Sequence, residues 1–231
     1  MTTSGDISSR ITAIRSTLPQ GVELVAVSKF HPLGAILEAA GAGQRLFGES
    51  RVQELERKVA ELAAEGRAED VDWHFIGHLQ TNKVRQLLRL RPAMIESVDS
   101  LKLLALIDRE AEAAGIVQRV LMQVHVAREE TKTGFSPDEL LDYFRSRRFE
   151  ELRATHICGV MGMASNTDDT ARVEEDFRAI RGCFDKILRI APDLRGFNTV
   201  SMGMSGDYPL AIACGSTLVR VGTAIFGERQ Y

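Results

Sequence analysis

Cysteine is scarce: only Cys158, Cys183 and Cys214 occur, far apart and without a CxxC pair. That excludes a disulfide framework and a cysteine-built zinc site, and it fits a reducing compartment. No apolar run approaches the ~20 residues of a membrane-crossing helix. The opening MTTSGDISSRI lacks the apolar core of a signal peptide. Neither sign of charge dominates, since 29 basic against 32 acidic side chains leave a formal −3, so no broad nucleic-acid footprint is present. The local basic cluster of Arg145, Arg147 and Arg148 reads as a solvated helix end. Low-complexity segments and Pro/Gly/Ser linkers are missing too, so nothing divides the 231 residues. The expectation is a cytoplasmic protein without membrane or nucleic-acid partners, one domain over residues 1–231, and with this charge balance a monomer.

What the chain has instead is alternation. Short β-branched runs recur at 22–28, 45–49, 73–77, 94–98, 120–126, 156–163, 199–204 and 218–227. Stretches with helical periodicity separate them, among them PLGAILEAAGA, RVQELERKVAELAAEG and SLKLLALIDREAEAAG. Ser100 and Ser136 stand where N-caps belong, the latter before Pro137, and Gly66 and Gly115 where helices should stop. About eight strands separated by helices, with an extra helix from Ile7 to Leu18, predict an α/β fold: a single (β/α)8 TIM barrel with an added N-terminal helix. An open doubly wound sheet is the alternative.

The run VELVAVS ends on Lys29. Either this lysine marks the strand end and extends its ammonium into water, or apolar surroundings depress its pKa so that it captures an aldehyde. In a barrel, the C-terminal strand ends form the active face, which puts Lys29 at the mouth. SMGMSGD, 201–207, and RVGTAIFG, 220–227, follow in the places where barrels often bind phosphate on backbone N–H groups. Arg220 lies inside an otherwise apolar strand and needs a partner, a wall carboxylate such as Glu49 or a ligand atom. An amine, a phosphate cradle and a cation for a ring nitrogen together match pyridoxal 5′-phosphate (PLP). His74 and His78 have i, i+4 spacing without the HExxH context of a zinc pair, and no metal site is assigned. His78 is instead a candidate at the mouth. Met161, Met163, Met202 and Met204 read as core filler, with Met202 the candidate for contact with a cofactor ring. Tyr208 could approach the phosphate through its loop.

Several blocks in fixed order resemble the pyridoxal-phosphate homeostasis protein family. They are AVSK (26–29), FGESRVQE (47–54), WHFIGHLQTNK (73–83), KTGF (132–135), GVMGMA (159–164), SMGMSGD (201–207) and GSTLVRVGTAIFGER (215–229). The resemblance implies a barrel related to the alanine racemase N-terminal domain. It also implies PLP on Lys29 as a Schiff base, phosphate contacts from Ser205, Gly222 and Thr223, and Arg220 near the pyridine nitrogen. Members of that family are thought to buffer PLP and hand it to apo-enzymes. One departure is Ser50, where the block usually carries asparagine.

Two arguments point away from turnover and leave no residue assigned as catalytic. An arginine facing the ring nitrogen disfavours its protonation and weakens the ring as an electron sink. After the last strand only Glu228 to Tyr231 remain, too little to close the mouth against water. A PLP-dependent racemase-like enzyme and a cofactor-free Schiff-base aldolase on Lys29 stay as alternatives.

Overall fold

The computed structural model describes residues 6–126 and 133–228. Eight parallel strands arise from the apolar runs: β1 (Glu23–Val27), β2 (Leu46–Glu49), β3 (Asp72–Phe75), β4 (Met94–Val98), β5 (Gln118–Val124), β6 (Thr155–Gly162), β7 (Thr199–Ser201) and β8 (Leu218–Val221). Around them run α1 (Asp6–Thr17), α2 (Leu33–Gly41), α3 (Val52–Ala64), α4 (Val84–Arg89), α5 (Leu101–Ala113), α6 (Pro137–Arg145), α7 (Thr170–Ile190), α8 (Tyr208–Ala213) and α9 (Thr223–Phe226). The strands pair in chain order, and β8 returns to β1 in register from Glu23↔Leu218 to Ala26↔Val221. That closure makes the predicted α/β barrel the observed one and excludes the open sheet. None of the helices among the described residues is long and apolar enough to cross a membrane.

The strands read as near-continuous apolar runs because both of their faces are covered. Alternation sends Leu24, Ala26, Phe47, Val219 and Val221 outward, where they join helix residues such as Leu55, Ile107 and Phe177 in the main core. A second, smaller cluster of Met94, Leu121, Cys158 and Met161 fills part of the bore. Helix ends follow the sequence signals. Ser100 accepts from the Leu103 N–H, Ser136 forms a capping box with Glu139, and Gly66 and Gly115 have φ of 67° and 65°.

The structure corrects the predicted strand ends. The run 218–227 is strand only to Val221, and Gly222 opens α9. The run 199–204 is strand only to Ser201, although the Met202 N–H and the Gly203 carbonyl still bond β8, at 3.1 and 3.0 Å. Ser28 and Lys29 lie beyond β1, and Lys29 begins a turn rather than ending a strand.

One glycine is set by close approach. Between Val120↔Ile157 and Leu121↔Gly159 the β5–β6 register slips by one residue, a bulge that brings Gly159 against β7. A Cβ there would stand 1.8 Å from the Thr199 carbonyl oxygen. Gly159→Ala is expected to cost about 3 kcal/mol and to lower Tm by about 6–12 °C in calorimetry. A shift under about 2 °C would show that the β6–β7 seam yields.

Candidate functional site

Described rim residues gather at the C-terminal ends of the strands. After β8, the Gly222 and Ala224 N–H groups both point at the Ser205 hydroxyl oxygen, at 3.2 and 3.4 Å, from the loop after β7. Backbone donors converging on one oxygen form the kind of concavity that accepts an anion. Gly222 packs so tightly on β1 that a Cβ would lie 3.2 Å from the Val27 carbonyl oxygen. The Thr223 side chain beside it is exposed. Lys29 joins the same corner, since His31, two residues on, stacks on Phe226 of α9 with ring centroids 4.9 Å apart. Lys29 is half-buried.

Beneath this rim, Arg220 is buried in the bore. Its neighbours Val219 and Val221 face the helices, so alternation turns Arg220 inward. It donates to the Ser201 hydroxyl and, at 3.1 Å, to the Gly162 carbonyl. The carboxylate that compensates it is Glu96 of β4, 3.7 Å away. Glu96 accepts from the Ser201 hydroxyl at 2.6 Å and lies 2.6 Å from His74 Nδ1. Burial pulls the Arg220 guanidinium below its ordinary pKa, against the attraction of Glu96 and Asp207. For Glu96, burial alone would raise the carboxyl. The hydrogen bond and charge of His74, with Arg220 and Ser201, outweigh burial and hold it below the usual carboxylate range.

The expected partner Glu49 cannot serve Arg220. It shares the helix-facing side of β2 with Phe47, while Arg220 faces the bore. Glu49 instead meets Lys58 of α3 at 2.6 Å, both side chains being 0% exposed. Lys58 also bonds Glu54 at 2.8 Å and the Ser28 carbonyl at 2.9 Å. Burial raises the Glu49 carboxyl, with Lys58 pulling the other way. Burial pushes Glu54 upward too, but hydrogen bonds from Lys58 and the Phe30 N–H bring it below its ordinary value.

The remaining predicted residues separate. His78 sits on the rim after β3, its side chain 60% exposed and Nδ1 2.9 Å from Asp99. Met202 is 0% exposed within the main core, whereas Met204 is exposed. Tyr208 leads away from the Ser205 turn, its hydroxyl 3.4 Å from Thr17 of α1. Among the described residues no cluster suited to a metal is found, and His74 turns to Glu96 rather than to His78. Lys132 lies outside the described residues.

Sequence reading missed Glu96, Ser201, Glu54 and Lys58. Two signals were present: a glutamate within the wholly buried MIESV, and a lysine on the α3 face that buries Val52, Leu55 and Leu62.

A carboxyl held low in the folded state contributes stability above its unfolded pKa, and that contribution fades as pH falls through the folded value. Glu96→Gln, which leaves Arg220 without its counter-charge, should therefore cost about 3–5 kcal/mol at pH ~7. The gap to wild type should narrow below pH ~4. Urea unfolding at both pH values measures this, and a pH-independent gap contradicts the pairing.

The family model of the alanine racemase N-terminal domain matches residues 4–230. The pyridoxal phosphate homeostasis protein of Helicobacter pylori is 39% identical over 207 residues, 90% of this chain and 88% of that protein. That of Synechocystis is 38% identical over 217 residues, 94% and 95% of the two chains. The structure of PipY from Synechococcus elongatus with PLP bound superposes with a TM-score of 0.87 at 39% identity, over 96% of this chain and all of that one. Alanine racemase from E. faecalis shares the fold, with a TM-score of 0.73 at 18% identity over 97% of this chain and 58% of that enzyme. With matches of this identity running along nine-tenths of its length, the chain belongs to the pyridoxal phosphate homeostasis proteins, a family of barrels built like the alanine racemase N-terminal domain.

Proposed function

We propose that this protein binds PLP at the C-terminal rim, linked to Lys29 as a Schiff base, and that it stores the cofactor and delivers it to apo-enzymes without robust turnover of a substrate. The observation that carries this reading is the convergence of the Gly222 and Ala224 N–H groups on the Ser205 hydroxyl, in the corner that also receives the Lys29 turn. The residues fit the cofactor. Bare backbone at Gly222, with the hydroxyls of Ser205 and Thr223, offers hydrogen bonds for a phosphate where a Cβ at residue 222 would crowd β1. Further support comes from PipY, described with PLP bound, and from relatives named for PLP homeostasis.

When bound, PLP supplies an aldehyde that an amine can capture and a ring that can accept electrons. Lys29 is the amine in this reading. Arg220 stays cationic and, held by Ser201 and Gly162, keeps a fixed positive charge in the bore. A ring nitrogen facing that charge resists protonation, which weakens carbanion chemistry and favours holding over turnover. Exposed Thr223, Met204 and His78 line a rim through which a cofactor can leave. Cytoplasmic residence suits the free thiols of Cys158, Cys183 and Cys214, and a monomer suits transfer to a partner's site.

Borohydride reduction of the PLP-loaded protein followed by peptide mass spectrometry is the test. The reduced label is expected on the peptide carrying Lys29, and Lys29→Ala should weaken PLP binding ~100-fold or more. Label on Lys83 or Lys132 instead would move the site. Interconversion of D- and L-alanine that is lost in Lys29→Ala would overturn the carrier assignment in favour of a racemase-like enzyme.

A further inference from the structure

We propose that Lys58, sealed between α3 and the C-terminal ends of β1 and β2, is a positioning residue for Lys29: with Glu49 and Glu54 it clamps the backbone on both sides of Lys29 and so sets where the amine stands. The proposal rests on the reading of Lys29 as the attachment residue.

Full burial is rare for lysine, and Lys58 is 0% exposed on a helix face that is otherwise apolar. Stability alone does not account for it, because a buried ion pair gains little over well-packed apolar residues of similar volume. Nor is the cluster arranged for charge balance. One ammonium serves two carboxylates, and Glu49 Oε2 has no hydrogen-bond partner among the described residues. What the ions add is direction, and their bonds end on the neighbours of Lys29.

Ser28 is tied through every polar group it has. Its N–H donates to the Gly48 carbonyl at 3.1 Å, and its hydroxyl donates to Glu49 at 2.7 Å. Its carbonyl accepts from Lys58 at 2.9 Å and from the His31 N–H at 3.0 Å. On the other side of Lys29, the Phe30 N–H donates to Glu54 at 2.6 Å, and the Arg51 guanidinium lies 5.0 Å from the Phe30 ring centroid. Phe30 has a φ of 70°, a left-handed conformation that costs a non-glycine residue free energy unless its surroundings enforce it. Lys58 bonds both sides of the clamp, the Ser28 carbonyl directly and Phe30 through Glu54. Lys29 is thus carried by a turn whose two flanks cannot shift independently.

In the attachment step the Lys29 amine adds to the aldehyde carbon and one water leaves, with nothing oxidised or reduced. The clamp then contributes approach geometry, the kind of term for which a shift of about 1 Å costs up to ~100-fold in rate.

The test compares wild type with Lys58→Met, using PLP and pyridoxine 5′-phosphate, which has the same ring and phosphate but an alcohol in place of the aldehyde. The rate of borohydride-trapped label on Lys29 is expected to fall ~10-fold or more in the variant. The Kd for pyridoxine 5′-phosphate should stay within ~2-fold, as for a site that does not depend on the amine. Trapping at the wild-type rate overturns the proposal, and so does equal weakening of both ligands, the signature of general disruption. Should Lys58→Met fail to fold, Glu49→Leu/Lys58→Met, which removes the two side chains that are 0% exposed, is read by the same criteria. A wild-type protein that takes no label on Lys29 while binding pyridoxine 5′-phosphate would instead overturn the attachment reading, and the clamp with it.

Discussion

Return of β8 to β1 is the constraint from which the site follows. Four register pairs, from Glu23↔Leu218 to Ala26↔Val221, hold the two strands together. That register sets Gly222 against Val27 and lets His31 stack on Phe226. Lys29 and the Ser205–Gly222 corner, nearly 200 residues apart along the chain, become neighbours only because the sheet closes. Closure also removes sheet edges and encloses a bore with low access to water, where paired charges feel one another strongly.

Inside and outside the barrel wall, burial is reconciled with charge in different ways. The bore holds Arg220, Glu96, His74 and Ser201, in which each charged group faces a partner. The helix-facing layer holds Lys58 with two carboxylates, and among the described residues one oxygen of Glu49 has no hydrogen-bond partner. Alternation along the strands keeps the clusters apart, since Glu49 and Arg220 face opposite sides of the same wall. One cluster anchors a cation below the rim. The other grips the turn that bears Lys29.

Much of the architecture was legible in the sequence. Eight apolar runs alternating with helical stretches, marked by the caps at Ser100 and Ser136 and the stops at Gly66 and Gly115, led to a barrel because that is the strand and helix count of a (β/α)8 ring. Boundaries were less legible. In 218–227 the apolar composition continues past Val221, yet the chain turns into α9, since hydrophobicity does not distinguish a strand from a short buried helix. For Arg220 the sequence left open a wall carboxylate such as Glu49 or a ligand atom. Glu49 faces the helices with Phe47, and Glu96 reaches Arg220 from a different strand, a contact that spacing along one strand does not reveal.

By itself, then, the sequence determined the alternation of strands and helices, the helix ends at Ser100, Ser136, Gly66 and Gly115, and the placement of Lys29 and the Gly/Ser segments near the C-terminal strand ends, all consequences of local periodicity and turn chemistry. Tertiary structure alone decided that Glu96 rather than Glu49 compensates Arg220, and that Met202 is sealed in the core while Met204 is exposed. It also decided that Lys58 reaches the Ser28 carbonyl. Each of those outcomes depends on which elements meet across the wall of a closed barrel, and contact between distant segments leaves no trace in the periodicity of either one.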